Sequence, residues 1–212
     1  ARLNAASALC HIGDMRAAAP LAALAQSDDS EAVRNVARKF LQTHKVTGRA
    51  VDLYVAQSRD YLVGGVAPGA YSEVVWTLVD DKLVARDVPG LVYPAELSKA
   101  FALDGVKIDP SSDVARSMLA QANLAEANLV ETSVQRGDEG AKALEGMVAE
   151  FKLAALATGP SVLRSALDAG LQQGQVNVSV GAIDALAMVE EREQLGQSSL
   201  LRALDSSDKR VR

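Results

Sequence analysis

The sequence predicts a mainly α fold, an α-solenoid of antiparallel helix pairs interrupted by one β-hairpin. Three observations support this prediction. Ala and Leu are abundant, whereas aromatic residues make up only 4% of the 212 residues, a balance that suits closely packed helices. Apolar residues recur at helical spacing over most of the chain. Strand-like alternation replaces that spacing in one place, between Glu73 and Val88.

One short apolar pattern occurs near both ends of the chain. Its three positions are separated by four and then three residues, which places them on one stripe of a helix. An arginine, Arg2 or Arg34, precedes the first two copies by three residues, and Val211-Arg212 repeats that start. Recurrence at a period of roughly thirty residues is typical of a helical solenoid. The copies are Ala5, Leu9 and Ile12; Ala37, Leu41 and His44; and Ala182, Leu186 and Val189.

The first segment, residues 1–62, is expected to form helical repeats. Helices are predicted over residues 2–13 and 17–26, from Glu31 onward, and over residues 46–62. Gly13 stands where a left-handed cap ends the first helix. Ser30 can cap the third helix, and Glu31 suits its first turn.

This first segment resembles the HEAT-repeat family, including the short HEAT-like repeats of bacteria. The resemblance is carried by Val33-Arg34, by the alanines Ala5 and Ala37, and by the ending Leu9-Cys10-His11-Ile12-Gly13-Asp14. It extends to the last segment, residues 159–212, where helices are predicted over residues 161–172, 176–190 and 197–204. The resemblance implies a scaffold that binds proteins or peptides.

The middle of the chain departs from the repeat pattern. Residues 63–92 are predicted to hold a loop and a β-hairpin, with strands over 73–79 and 82–88 and an apolar side, led by Trp76, on the helices. Residues 93–158 are predicted to be helical, with Pro94 in a first turn and helices over 114–124 and 138–157. Within them, Ala100 to Leu103 followed by Asp109-Pro110 is similar to a single tetratricopeptide unit.

The net charge, the lengths of the apolar runs and the cysteine count limit the classes of function that the chain could have. A net charge of -5 argues against a general nucleic-acid binder, which carries a basic face. No apolar run is long enough to span a membrane, and the single Cys10 cannot form an internal disulfide. Because Ala1 is not a methionine and the chain opens inside a repeat, we expect a fragment of a larger protein. Its truncated repeat ends could associate head to tail with those of other copies.

The sequence predicts no catalytic, cofactor-binding or metal-binding residue. The two histidines, His11 and His44, have no Cys or carboxylate cluster around them at metal-ligand spacing. Cys10 and His11 could form a nucleophile–base pair, but adjacent helical residues point about 100° apart, which favours a small buried thiol. The HEAT-like resemblance leaves an enzyme of the bilin lyase or DNA glycosylase type as an alternative. A regulatory module of a multidomain protein is another alternative.

Two features predict a partner-binding surface. The chain's large amphipathic rings gather in the middle, and such rings are favoured anchors at interfaces, although they could instead pack the hairpin onto the helices. Arg34 and Arg38 lie one turn apart in a basic stretch, for which surface solubility is the commoner explanation and an acidic or phosphorylated partner is the alternative. We therefore expect a protein or peptide partner at Tyr61, Tyr71, Trp76, Tyr93, Arg34 and Arg38.

Overall fold

The computed structural model describes residues 1–64, 73–79, 82–189 and 198–212. This part of the chain forms eleven α-helices and one antiparallel two-stranded sheet. The predicted mainly α class with a single hairpin is thus confirmed for the described residues.

Four helices form the first segment: α1 (Arg2–Ile12), α2 (Ala18–Ser27), α3 (Glu31–Thr43) and α4 (Ala50–Leu62). Gly13 follows α1 with φ of 70° and donates its backbone N–H to the Leu9 carbonyl, as a left-handed cap does. Ser30 is the residue before α3, but its side chain makes no capping bond. Instead, the Asp28 carboxylate accepts the Ser30 N–H, so the turn is closed by an aspartate.

Of the three residues in the stripe predicted on α1, Leu9 packs against the core that α1 shares with α2 and α3, but the other two do not. Ala5 is exposed and Ile12 is 71% exposed, whereas Ala6 is buried in a core shared with α2 and α3. A helix whose sequence is apolar on several sides has no unique buried stripe, so packing decides which side is covered. The alanines of the other two copies, Ala37 and Ala182, are fully buried.

The hairpin consists of β1 (Val74–Val79) and β2 (Lys82–Asp87), and Val74 pairs with Asp87 at its base. These strands agree with the predicted ones to within one residue. The helix α5 (Tyr93–Ile108) follows, with Pro94 in its first turn as expected.

The helix α6 (Asp113–Gln135) is twice as long as the stretch predicted there, because alanines and leucines continue beyond Leu124. The single helix expected over residues 138–157 is broken into α7 (Glu139–Lys142), a 3-10 turn (Glu145–Met147) and α8 (Val148–Leu156). Gly140 and Gly146 lie in this stretch and disfavour a continuous helix. The chain ends with α9 (Pro160–Gln173), α10 (Val176–Val189) and α11 (Ser198–Leu204).

The helix α6 lies at the centre of the described structure. It packs against α4 and α5 on the N-terminal side of the sequence and against α8, α9 and α10 on the C-terminal side. In a solenoid each unit contacts only its neighbours along the chain. The predicted solenoid arrangement is therefore not confirmed.

Candidate functional site

The hairpin has one side against the helices and one side toward solvent. Val75 is 4% exposed and joins a core formed with α5, α6 and α8, whereas Trp76 is 62% exposed. The expectation that Trp76 leads the inward side is therefore wrong. Alternation assigns residues to two faces but does not say which face is covered. Here the small side chain of Val75 fits the space beside Val92 and Phe151.

The solvent-facing side of the hairpin carries exposed apolar side chains. Trp76 lies opposite Ala85 in the register, and Leu83 precedes Ala85 by two residues on the same strand, so these three residues share one face. Leu83 is 71% exposed, and Ala85 is also exposed. We call Trp76, Leu83 and Ala85 the hairpin patch. A large aromatic ring and a leucine next to each other in water are typical of a recognition surface.

Two of the predicted tyrosines, Tyr61 and Tyr93, pack in or beside the core and do not join this patch. Tyr61 is 6% exposed, and its ring packs edge-on against Phe101 with 5.2 Å between the centroids. Burial raises the pKa of the Tyr61 phenol, in keeping with a role in the core. Tyr93 is half-buried beside the core that holds Val75. Tyr71 lies outside the described residues.

The predicted arginines lie on α3, which packs against α1 and α2. The Arg34 guanidinium donates to the backbone carbonyls of Asp28 and Asp29, so it helps to close the turn before its helix. Arg38 is exposed and donates to the Asn35 side chain at 3.2 Å. Arg38 therefore remains accessible, whereas Arg34 already has two acceptors.

Beneath the hairpin lies a group of ionisable side chains that the sequence did not predict. Arg86 of β2 donates to Glu96 of α5, with Nη2 2.5 Å from Oε2 and Nη1 3.4 Å from Oε1. Lys99 Nζ lies 2.8 Å from Glu96 Oε1 and 2.7 Å from Glu126 Oε2, and thus bridges α5 and α6. We call Arg86, Glu96, Lys99 and Glu126 the charge cluster.

The two carboxylates of the charge cluster are deeply buried. Glu96 is 3% exposed and Glu126 is fully buried, and among the described residues Glu126 Oε1 has no hydrogen-bond partner. The Lys99 ammonium also lies 4.7 Å from the centre of the Phe151 ring, a favourable cation–π contact. A buried carboxylate with one unsatisfied oxygen is costly unless it binds a proton.

Burial affects the two carboxylates differently. For Glu126, burial raises the pKa to about 8, because the opposing effect of Lys99 is too small and the nearby Glu96 carboxylate raises it further. For Glu96, burial also raises the pKa, but hydrogen bonds from Arg86 and Lys99 outweigh it and hold the pKa below its usual value. The charge cluster therefore contains one carboxylate that stays ionised and one that exchanges a proton near neutral pH.

A sequence signal for the charge cluster exists. Glu126 is the one charged residue in the otherwise uncharged run from Ser117 to Val130, which the structure buries almost completely. A lone carboxylate in such a run indicates a buried partner of opposite charge. The identity of that partner, Lys99, depends on tertiary packing.

A second candidate site, the groove between α1 and α3, has a free volume of about 340 Å³ and contains Cys10, His11 and His44. The His11 ring nitrogen Nδ1 lies 2.7 Å from the Ser7 carbonyl on its own helix, and the Cys10 thiol donates to the Val36 carbonyl. Burial raises the pKa of the Cys10 thiol, which opposes thiolate formation. The groove therefore does not present an activated nucleophile.

The described residues show two further absences. They contain no group of three or more His, Cys, Asp or Glu side chains placed to hold a metal ion. No helix among them combines the length and apolar character that a membrane crossing requires.

Compared with models of known families, with curated proteins and with solved structures, the chain matches none of them.

Proposed function

We propose that this chain is a protein-binding module that recognises a segment of its partner through the hairpin patch. The observation that carries this proposal is the position of Trp76, the chain's single tryptophan, which is 62% exposed on the outward face of the sheet. Tryptophan is the residue type most enriched among interface residues that dominate binding energy.

The surroundings of Trp76 suit an extended peptide. Within the part of the chain that the structure describes, each strand of the two-stranded sheet has one edge without a strand partner, and an added strand can hydrogen-bond along such an edge. A strand added beside β1 would place a side chain next to Trp76, and a strand added beside β2 would place one next to Leu83. The HEAT-like resemblance belongs to the same proposal, with the helical body as the scaffold that presents the hairpin.

The test is selection of binders from a displayed library of random peptides. Selected peptides are titrated into the protein while the fluorescence emission of Trp76 is followed. We expect a shift to shorter wavelength, because a covering peptide removes water from the indole ring. Trp76→Ala should weaken the binding free energy measured by calorimetry by about 2 kcal/mol or more, while the melting temperature of the protein changes little.

Val75→Ala is the matched control on the same strand. Because Val75 is buried, this change should lower thermal stability and leave the affinity of the folded fraction intact. Peptides that bind Trp76→Ala as tightly as the wild type would exclude the hairpin patch as the recognition surface.

A further inference from the structure

Arg86 attaches β2 to the helical body by an ion pair, alongside two buried side chains, Val75 of β1 and Val88 directly after β2. Every residue of β2 is exposed, and Arg86 is the β2 side chain for which an ion pair with the body is described. It lies opposite Val75 in the register, on the side of the hairpin that faces the helices. The strength of the Arg86–Glu96 ion pair therefore influences how firmly this strand is held.

The charges behind Arg86 can be counted in two protonation states. When Glu126 is protonated, Glu96 and Lys99 neutralise each other, so Arg86 can leave without exposing an unpaired buried charge. When Glu126 is ionised, two carboxylates share Lys99, and the departure of Arg86 leaves one net negative charge in a buried place. An uncompensated buried charge is strongly unfavourable.

We propose that the charge cluster is a proton-controlled latch, in which ionisation of Glu126 tightens the attachment of the hairpin to the helical body and protonation loosens it. Lys99 couples Glu126 to the Arg86–Glu96 ion pair, because its ammonium group contacts both carboxylates. Regulation of partner binding by this latch rests on the proposed function of the hairpin patch.

Few other charged groups of the described residues lie near Glu126. From α5 it faces Lys99 and Glu96, and from β2 Arg86 acts on it through Glu96. The helix α8 presents the Phe151 ring, which lies against Lys99, while Lys152 of α8 is ion-paired with Glu131. Within the described residues, Lys99 and Glu96 are the charged groups that act on the pKa of Glu126.

The coupling works in both directions. If ionised Glu126 holds Arg86 more tightly, a hairpin fixed on the body must favour the ionised form of Glu126. A partner that fixes the hairpin on the body would then release a proton. A partner that requires a detached hairpin would take one up.

Time-resolved fluorescence anisotropy of Trp76 tests the latch without any partner. Because the chain has one tryptophan, the signal reports on the hairpin alone. Between about pH 6 and about pH 9, on either side of the Glu126 titration, we expect the population of detached, fast-moving hairpin to fall about fivefold or more, a typical allosteric coupling.

Three variants test whether the pH response of hairpin mobility arises in the charge cluster. In Glu126→Gln the detached population should no longer depend on pH, and it should match that of the wild type at low pH. In Arg86→Gln the hairpin should be mobile at both pH values. Lys82→Gln removes a hairpin charge outside the charge cluster, so it should keep the wild-type response.

Two results would overturn the latch: equal mobility in the wild type at both pH values, or a persisting pH response in Glu126→Gln. If Glu126→Gln fails to fold, Arg86→Gln compared with Lys82→Gln decides the matter. Failure of the proposed function is a separate outcome, because it is measured with peptides on Trp76→Ala. A working latch on a hairpin that binds no peptide remains observable by anisotropy.

Discussion

The Glu126→Gln substitution should abolish a specific pH dependence of global stability. Glu126 is fully buried in α6, and burial raises its pKa to about 8 from a usual value of 4.5. Glutamine keeps the shape of the side chain and an oxygen that can accept the hydrogen bond from Lys99. It cannot ionise, so it removes the titration with little change in packing.

The size and sign of this change in the free energy of unfolding follow from proton linkage. Between pH 4.5 and pH 8 the folded chain keeps a proton on Glu126 that the unfolded chain has lost. Stability therefore falls as the pH rises, by about 1.4 kcal/mol per pH unit. The contribution is complete below pH 4.5 and is lost as the pH rises through 8. From pH 6 to pH 8 the wild type should lose about 2 kcal/mol through this residue.

Urea denaturation followed by circular dichroism at a series of pH values measures this loss. The difference in free energy of unfolding between Glu126→Gln and the wild type should grow by about 2 kcal/mol from pH 6 to pH 8. Glu96 does not change the stability between pH 6 and pH 8. Its lowered pKa stabilises the fold at pH values above the usual pKa near 4.5, and that contribution is lost only in acid.

Glu131→Gln, on the same helix, is the control. It removes an ion pair with Lys152 at the surface and leaves Glu126 intact, so its pH dependence should follow the wild type. Parallel curves for Glu126→Gln and the wild type would refute the reasoning, since they would mean that Glu126 is ionised in the folded chain at pH 6.

Two further substitutions test the packing around α6 and α5. Gly181→Ala would place a Cβ 3.0 Å from the Leu124 carbonyl oxygen, so α10 must move away from α6 and thermal denaturation should show a loss of about 1 kcal/mol or more. Gly146→Ala, with no atom within 4 Å of its added Cβ, should not destabilise. Ser58→Ala should lower the free energy of unfolding in urea by about 1 to 2 kcal/mol, because the buried Ser58 hydroxyl donates to the Ser98 carbonyl at 2.7 Å. An unchanged unfolding midpoint in Gly181→Ala or Ser58→Ala would contradict the corresponding contact.

Local sequence features placed the hairpin and several helix boundaries. Gly13 and Pro94 marked helix boundaries because their backbone preferences act without tertiary contacts. The hairpin was found because period-two alternation is distinct from helical spacing. The interruption of the helix near Gly146 was missed, since two glycines lower helix propensity without forbidding a helix.

The candidate site depended on packing, and the sequence could predict little of it. Trp76 and Val75 are neighbours on an apolar strand, and only the space left by α5, α6 and α8 decides which one is covered. Tyr61 carries the same amphipathic ring as an interface anchor, but its contact with Phe101 places it in the core. The contact of Lys99 with Glu126 joins residues on two helices, and no local pattern encodes it.

The central position of α6 has a consequence for how the chain unfolds and how it can vary. In a linear repeat array, units can melt one after another, and evolution can add or remove them. Here α4, α5, α8, α9 and α10 share one buried helix, so losing any of them exposes apolar surface that the others depend on. These helices should therefore unfold in a single cooperative step. Insertions are best tolerated in the connections between helices, where the shared helix stays covered.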